Sequence, residues 1–248
     1  MAGPTIEIQP PVRRERQSGI RDVATFRSND RLGAAAGLVF QSDGCTFPQI
    51  SEHLCYVGEV TPADKTFEGI DLQNGIGEPF PLYAGVKCFL GPDPDQLERA
   101  RATLDAGKDR ALEGQLHTWA AAGLPLVDGA GVADSIALVE QALDGQYLGQ
   151  GVILMSRADA VRAHAAGALE YTASGPVTIN GTPVLASGFV AMGAVYGLGA
   201  ITVEESGVLA YQRELLEQNE LWALAEQIFA IAVDCEFRVH STIGAVAP

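Results

Sequence analysis

The sequence predicts an α+β fold built on unusually extended elements, and three observations carry that expectation. Residues 229–239 alternate as one long strand, with Phe229, Ile231, Val233, Cys235, Phe237 and Val239 on one face and Ala230, Ala232, Asp234, Glu236 and Arg238 on the other. At about 3.3 Å per residue this strand spans about 36 Å, roughly twice the usual length. Residues 94–122 read as a single helix, which at 1.5 Å per residue is roughly 40 Å long. No catalytic or nucleotide-binding motif is found anywhere in the chain.

Taken in order, residues 1–31 are rich in Pro, Arg and Gln without periodicity, which predicts an extended arm. A small-residue apolar stretch follows from Leu32 to Phe40, suited to a short helix or to close backbone packing. Strand patterns at 54–60 and 80–90 are separated by a polar, Gly-containing excursion, which predicts a long projecting hairpin. Asp93 then offers an N-cap, Pro94 a first helical residue, and Asp95 and Gln96 a first turn suited to the helix dipole. Leu97, Leu104, Leu112, Leu116 and Trp119 mark that helix's apolar stripe.

Asp134 is placed to cap a second helix ending at Gly145, with Ile136, Val139, Ala142 and Leu143 inward. Residues 151–156 form a short buried strand, and Ser156 with Asp159 forms a capping box for a helix to about Ala166. Asn180-Gly181 marks a hairpin turn between 177–179 and 182–185, and residues 189–203 hold one or two further strands. Residues 213–225 read as a helix feeding the long closing strand, with Leu215, Leu216, Asn219 and Trp222 near helical spacing.

The 248 residues are 47% hydrophobic and 19% charged, enough to bury a substantial core, so a wholly disordered chain is excluded. No apolar run reaches membrane-span length, and the N-terminus lacks a secretory layout, so a cytosolic origin is expected. A net charge of −15 argues against a nucleic-acid-binding body. The charge is unevenly spread: the first 31 residues carry +2 and the remainder −17. A basic arm on an acidic body invites contact with a neighbouring copy.

The four cysteines do not suggest a disulfide framework. Cys88 and Cys235 read as small buried apolar groups. Cys45, His53 and Cys55 form a loose cluster that lacks the spacing and the fourth ligand of a zinc site. Gly129-Ala130-Gly131 lacks the third glycine of a dinucleotide loop, and GxSxG, P-loop and HExxH motifs are absent. The histidines His53, His117, His164 and His240 are scattered, and Glu204 and Glu205 face opposite sides of a strand. No catalytic, cofactor or metal residue is nominated.

Three segments carry a family resemblance. Pro79-Phe80-Pro81-Leu82-Tyr83-Ala84-Gly85-Val86-Lys87-Cys88 and Ala223-Leu224-Ala225-Glu226-Gln227-Ile228-Phe229-Ala230-Ile231-Ala232-Val233-Asp234-Cys235 are similar to segments of capsid proteins from phages of actinobacteria, with a weaker match at Thr182-Pro183-Val184-Leu185-Ala186-Ser187-Gly188. With the element order, the chain resembles the major capsid proteins of tailed bacteriophages, whose Hong Kong 97-type fold also builds encapsulin shells.

The resemblance implies an N-terminal arm at 1–44 and an extended-loop hairpin region at 45–81. It implies a peripheral domain at 82–129 and 206–248, holding the spine helix 94–122 and the strand 229–239 beside 82–90, and an axial domain at 130–205. It further implies hexamers and pentamers of an icosahedral head, assembled in the host cytoplasm, enclosing double-stranded DNA and located in the virion, with no enzymatic activity, cofactor or membrane. The implied partners are other copies of the chain, a separate scaffolding protein, a portal and decoration proteins.

Candidate contacts between subunits are Arg13, Arg14, Arg16, Arg21 and Arg27 in the arm, Lys65 in the loop, and the Asp234, Glu236 and Arg238 face of the last strand. With Lys65 the one lysine in the proposed loop, covalent cross-linking is not expected. The alternatives are an encapsulin-type shell, which would need a cargo-peptide groove, and a small α/β enzyme assembling a site from distant residues such as His53, His117 or Asp134.

Overall fold

A computed structural model of the chain describes residues 16, 18–42, 44–48, 73–88, 95–215, 217 and 220–244. The elements run α1 (Ile20–Val23), β1 (Ala24–Ser28), β2 (Leu38–Ser42), β3 (Gln73–Gly77), β4 (Phe80–Cys88), α2 (Gln96–Ala120), β5 (Leu124–Pro125), α3 (Val132–Gln146), β6 (Val152–Ser156), α4 (Arg157–Ala165), β7 (Leu169–Thr172), β8 (Gly175–Thr178), β9 (Val184–Ser187), β10 (Ala194–Leu198), β11 (Ile201–Glu205), β12 (Leu209–Leu215), β13 (Glu220–Val233) and β14 (Arg238–Thr242).

The 14-residue strand β13, about 46 Å long, is the axis of the first sheet. It pairs with β4 from Leu221 to Phe229, with β12 from Glu220 to Glu226, and with β11 from Phe229 to Val233, all antiparallel. Residues 221–226 meet β4 and β12 together, and Phe229 meets β4 and β11 together. Strand β4 therefore lines one edge, while β12 and then β11 follow each other along the opposite one. Strand β1 extends the sheet in parallel beside β11. The second sheet has the order β5-β14-β10-β6-β9.

Helix α2, 25 residues and about 37 Å long, lies across the first sheet. Its first half packs Ala100 and Leu104 on Ala223 and Ala225 of β13, where small residues on both sides permit a close approach. Its second half adds Leu112 and Leu116 to a larger core with Phe229, Val203, Leu154 and Leu198, which joins the two sheets. Helix α3 covers the second sheet through Ile136, Val139 and Leu143 against Ile153, Met155 and Val195.

Several expectations need correction. Residues 213–225 are not a helix: they hold the end of β12 and the start of β13. Leu221, Ala223, Ala225, Gln227 and Phe229 are buried at alternate positions, and the pairing on both edges supplies the backbone hydrogen bonds that override the helix propensity of alanine and leucine. The closing strand does not run from 229 to 239. It breaks at a 3-10 turn, Asp234–Glu236, in which Cys235 (φ 54°) and Glu236 (φ 47°) adopt left-handed backbone, and β14 then enters the other sheet. The burial alternation hides this break, because Val233 and Val239 keep the same parity on either side of the turn.

Strand β4 joins β13 in place of the expected hairpin partner, and β2 pairs with β3 from Leu38↔Gly77 to Ser42↔Gln73. Gly131 occupies the N-cap position of α3, while Asp134 in its first turn accepts a hydrogen bond from the Ala130 N–H at 2.8 Å. The Asn180-Gly181 turn closes with a single antiparallel bridge, Val177–Pro183, and the Thr178 N–H donates to the Thr182 carbonyl at 2.9 Å; beyond it β8 pairs with β7 and β9 runs parallel to β6. The proposed cap at Asp93 and Pro94, and the strand at 54–60, lie outside the described residues.

Candidate functional site

The described residues hold no group of three or more His, Cys, Asp or Glu able to bind a metal ion, and no described helix is long and apolar enough to cross a membrane. What the fold builds among the described residues are two anchoring points, one at the start of α1 and one at the β2–β3 pair, together with one sheet face that exposes large apolar side chains.

The first anchor is Glu113, on α2 and fully buried. Its carboxylate accepts both terminal guanidinium nitrogens of Arg16, one at 2.9 Å, the backbone N–H of Ile20 at 3.2 Å and the Ser187 hydroxyl at 2.6 Å. One acid on the helix thus fixes where the N-terminal segment leaves the body. Nearby, Arg21 meets both oxygens of Asp109 at 3.0 Å and Glu205 at 3.4 Å, and stacks over Phe26. Arg16 and Arg21 are therefore held by their own chain. Arg27 is exposed on β1, and Arg13 and Arg14 lie outside the described residues.

The second anchor is the turn at 234–236, where the two sheets meet. The N–H of Asp234 donates to the Ala200 carbonyl and that of Gly199 to the Phe237 carbonyl. A side chain at Gly199 would meet the Asp234 carbonyl oxygen at 2.4 Å, so only glycine fits this crossing. The Tyr147 hydroxyl donates to Asp234 Oδ2 at 2.8 Å and accepts from the Ala200 N–H at 3.0 Å. On the other side the turn grips the β2–β3 root: the Cys235 N–H donates to Ser42 Oγ at 2.9 Å, and Ile76 N–H donates to Glu236 Oε1 at 3.3 Å.

A disulfide joins Cys45 to Cys235 across 190 residues, with Cα atoms 5.6 Å apart. This corrects the reading of Cys235 as a small buried apolar group and of the cysteines as offering no disulfide framework. No local spacing could reveal the pair, because the tertiary fold alone brings the two together. Asp234, Glu236 and Arg238 do not share one strand face, and each has a partner in its own chain: Arg238 donates to the Trp119 carbonyl at 2.9 Å and stacks 4.4 Å from that ring. His53, Cys55 and Lys65 lie outside the described residues.

Burial pushes the Tyr147 phenol up to about 12, reinforced by Asp234 and partly offset by the Ala200 N–H. Below pH 10 the phenol is protonated whether folded or unfolded, so its contribution to stability is fully present. Between pH 10 and about 12 the unfolded chain ionises first, and that contribution is lost as pH rises. Tyr147→Phe is expected to lower stability at neutral pH by about 1–2 kcal/mol through its two lost hydrogen bonds, and to flatten the decline in melting temperature above pH 10.

The face of the first sheet opposite α2 exposes four large apolar side chains among charged ones. Tyr83, Leu209, Tyr211 and Trp222 are 72%, 62%, 54% and 48% exposed. The register puts them on one face, in the cross-strand rows Leu209–Glu226–Tyr83, Tyr211–Leu224–Gly85 and Arg213–Trp222–Lys87. Large exposed apolar side chains gathered on one sheet face, interspersed with Glu226, Arg213 and Lys87, make it a candidate contact surface.

No protein-family model matches the chain, and no curated protein matches it by sequence. Solved structures do match in fold. The capsid of an empty GTA particle superposes with a TM-score of 0.60 at 14% identity, over 98% of this chain and 96% of that one. A chain of Mycobacterium phage Adephagia gives 0.58 at 11% identity, over 98% and 96%. The capsid of the cyanophage P-SCSP1u gives 0.56 at 9% identity, over 97% and 92%. The chain carries the phage capsid fold over nearly its whole length, as the resemblance implied.

Proposed function

We propose that this chain is the major capsid protein of a tailed bacteriophage, assembling as hexamers and pentamers into an icosahedral head around double-stranded DNA. The observation that carries this reading is the near-full-length fold match to phage capsid subunits. The anchors at α1 and at the β2–β3 pair, and a sheet face exposing large apolar side chains, agree with it, since a shell subunit needs broad contact surfaces rather than a pocket. Many modest contacts then sum through multivalency.

In this reading residues 1–44 form the arm, 45–81 the extended-loop hairpin region, 82–129 and 206–248 the peripheral domain, and 130–205 the axial domain. Arg13, Arg14, Arg27 and Lys65 serve contacts between copies, whereas Arg16, Arg21, Asp234, Glu236 and Arg238 position those segments within one subunit. The acidic body encloses DNA without sequence-specific binding. The head assembles in the host cytoplasm with a scaffolding protein, a portal and decoration proteins, and the mature location is the virion. No catalytic role belongs to this reading.

Light scattering after size-exclusion chromatography tests it. Megadalton particles are expected, and a discrete monomer or dimer would overturn the reading. Nucleic acid inside native particles is the outcome expected of a phage head, and a cargo enzyme in its place would make the shell an encapsulin.

A further inference from the structure

We propose that Cys45 and Cys235 form a redox latch that locks the β2–β3 ribbon to the turn joining the two sheets. Three ties hold that ribbon at the turn: the disulfide, the Cys235 N–H to Ser42 bond and the Ile76 N–H to Glu236 bond. Only the first is covalent. Both cysteines are partly exposed, so small thiols and disulfides reach them.

The turn is also the least relaxed stretch of the described backbone. Cys235 and Glu236 are its only described non-glycine residues with positive φ, a conformation that side chains disfavour and that persists only where surrounding structure imposes it. Asp234 is held from the opposite side by Tyr147 and the Ala200 carbonyl. Opening the disulfide therefore leaves the ribbon side of the turn held by two hydrogen bonds alone, while the sheet side stays fixed. The element that responds is the β2–β3 ribbon.

The chemistry is thiol–disulfide exchange. The thiolate of one cysteine attacks a small-molecule disulfide and releases one small thiol. The second cysteine then displaces the other small thiol from the mixed disulfide. The Cys45–Cys235 bond forms, the reagent's S–S bond breaks, and two electrons and two protons pass to the departing thiols. Resting on the capsid reading, the latch is open while subunits assemble in a reducing cytoplasm and closes in the released particle.

Peptide mapping by mass spectrometry after alkylation, combined with hydrogen exchange, tests the latch on the full chain. Protein treated with oxidised glutathione is expected to yield a linked Cys45–Cys235 peptide that disappears with dithiothreitol. Reduction is expected to speed amide exchange in β2 and β3, including Ile76, at least tenfold while β6 and β10 stay unchanged. Cys45→Ser should exchange fast in both conditions. Full alkylation of both cysteines despite oxidised glutathione would overturn the proposal, and so would unchanged exchange on reduction. The capsid reading is scored separately by particle formation: its failure leaves the peptide map and exchange data intact as a test of the latch.

Discussion

Glu113→Ala is expected to destabilise the unassembled subunit by about 3–5 kcal/mol, the range for breaking a buried charge pair by removing one partner. The side chain is fully buried, and its loss strands the Arg16 guanidinium, the Ile20 N–H and the Ser187 hydroxyl, each without its acceptor. Desolvation decides the size of the effect: an exposed ion pair would be worth less than about 1 kcal/mol, but this carboxylate has no water to fall back on. Glu113→Gln keeps one acceptor oxygen and is expected to cost less than alanine. Urea denaturation followed by circular dichroism measures both. Proteolysis near Arg16 should also become faster in Glu113→Ala, since the anchor of the N-terminal segment is gone.

Phe229→Ala is expected to cost a comparable 3–5 kcal/mol, the range for truncating a buried aromatic to alanine. Phe229 is fully buried where β4, β13 and β11 meet, in register with both Phe80 and Glu205. Its ring lies 6.4 Å from that of Phe80 and belongs to the core shared by Ile20, Leu112, Leu116 and Val233. The cavity would therefore loosen the arm root, the long helix and the sheet at one point. Phe229→Leu, which keeps most of the volume, is expected to cost about 1–2 kcal/mol. Denaturation midpoints of the two variants separate cavity formation from the loss of an aromatic contact.

The parts of the fold that were legible in the sequence are those where a single period governs burial. The stripe Leu104, Leu112 and Leu116 gave α2, the run Val152 to Met155 gave β6, and Ser156 with Asp159 gave the start of α4, where Asp159 N–H donates to Ser156 Oγ at 3.0 Å. Where two signals compete, the reading failed. Ala223 and Ala225 favour a helix in isolation, yet they are the small residues that let α2 approach β13.

Both anchors were invisible for a different reason. Glu113 reads as one more acid on a helix until Arg16, 97 residues away, reaches it. Cys45 and Cys235 meet only after two sheets have formed, so neither spacing nor composition reports their contact. The turn at Asp234–Glu236 left no mark because it redirects the chain without shifting the burial parity.

Negative-stain electron microscopy of the purified chain tests the central claim most directly. Closed, evenly sized shells tens of nanometres across are the result expected of a capsid subunit. A field of small particles no larger than a monomer or dimer, at concentrations and salt where phage shells assemble, would contradict it.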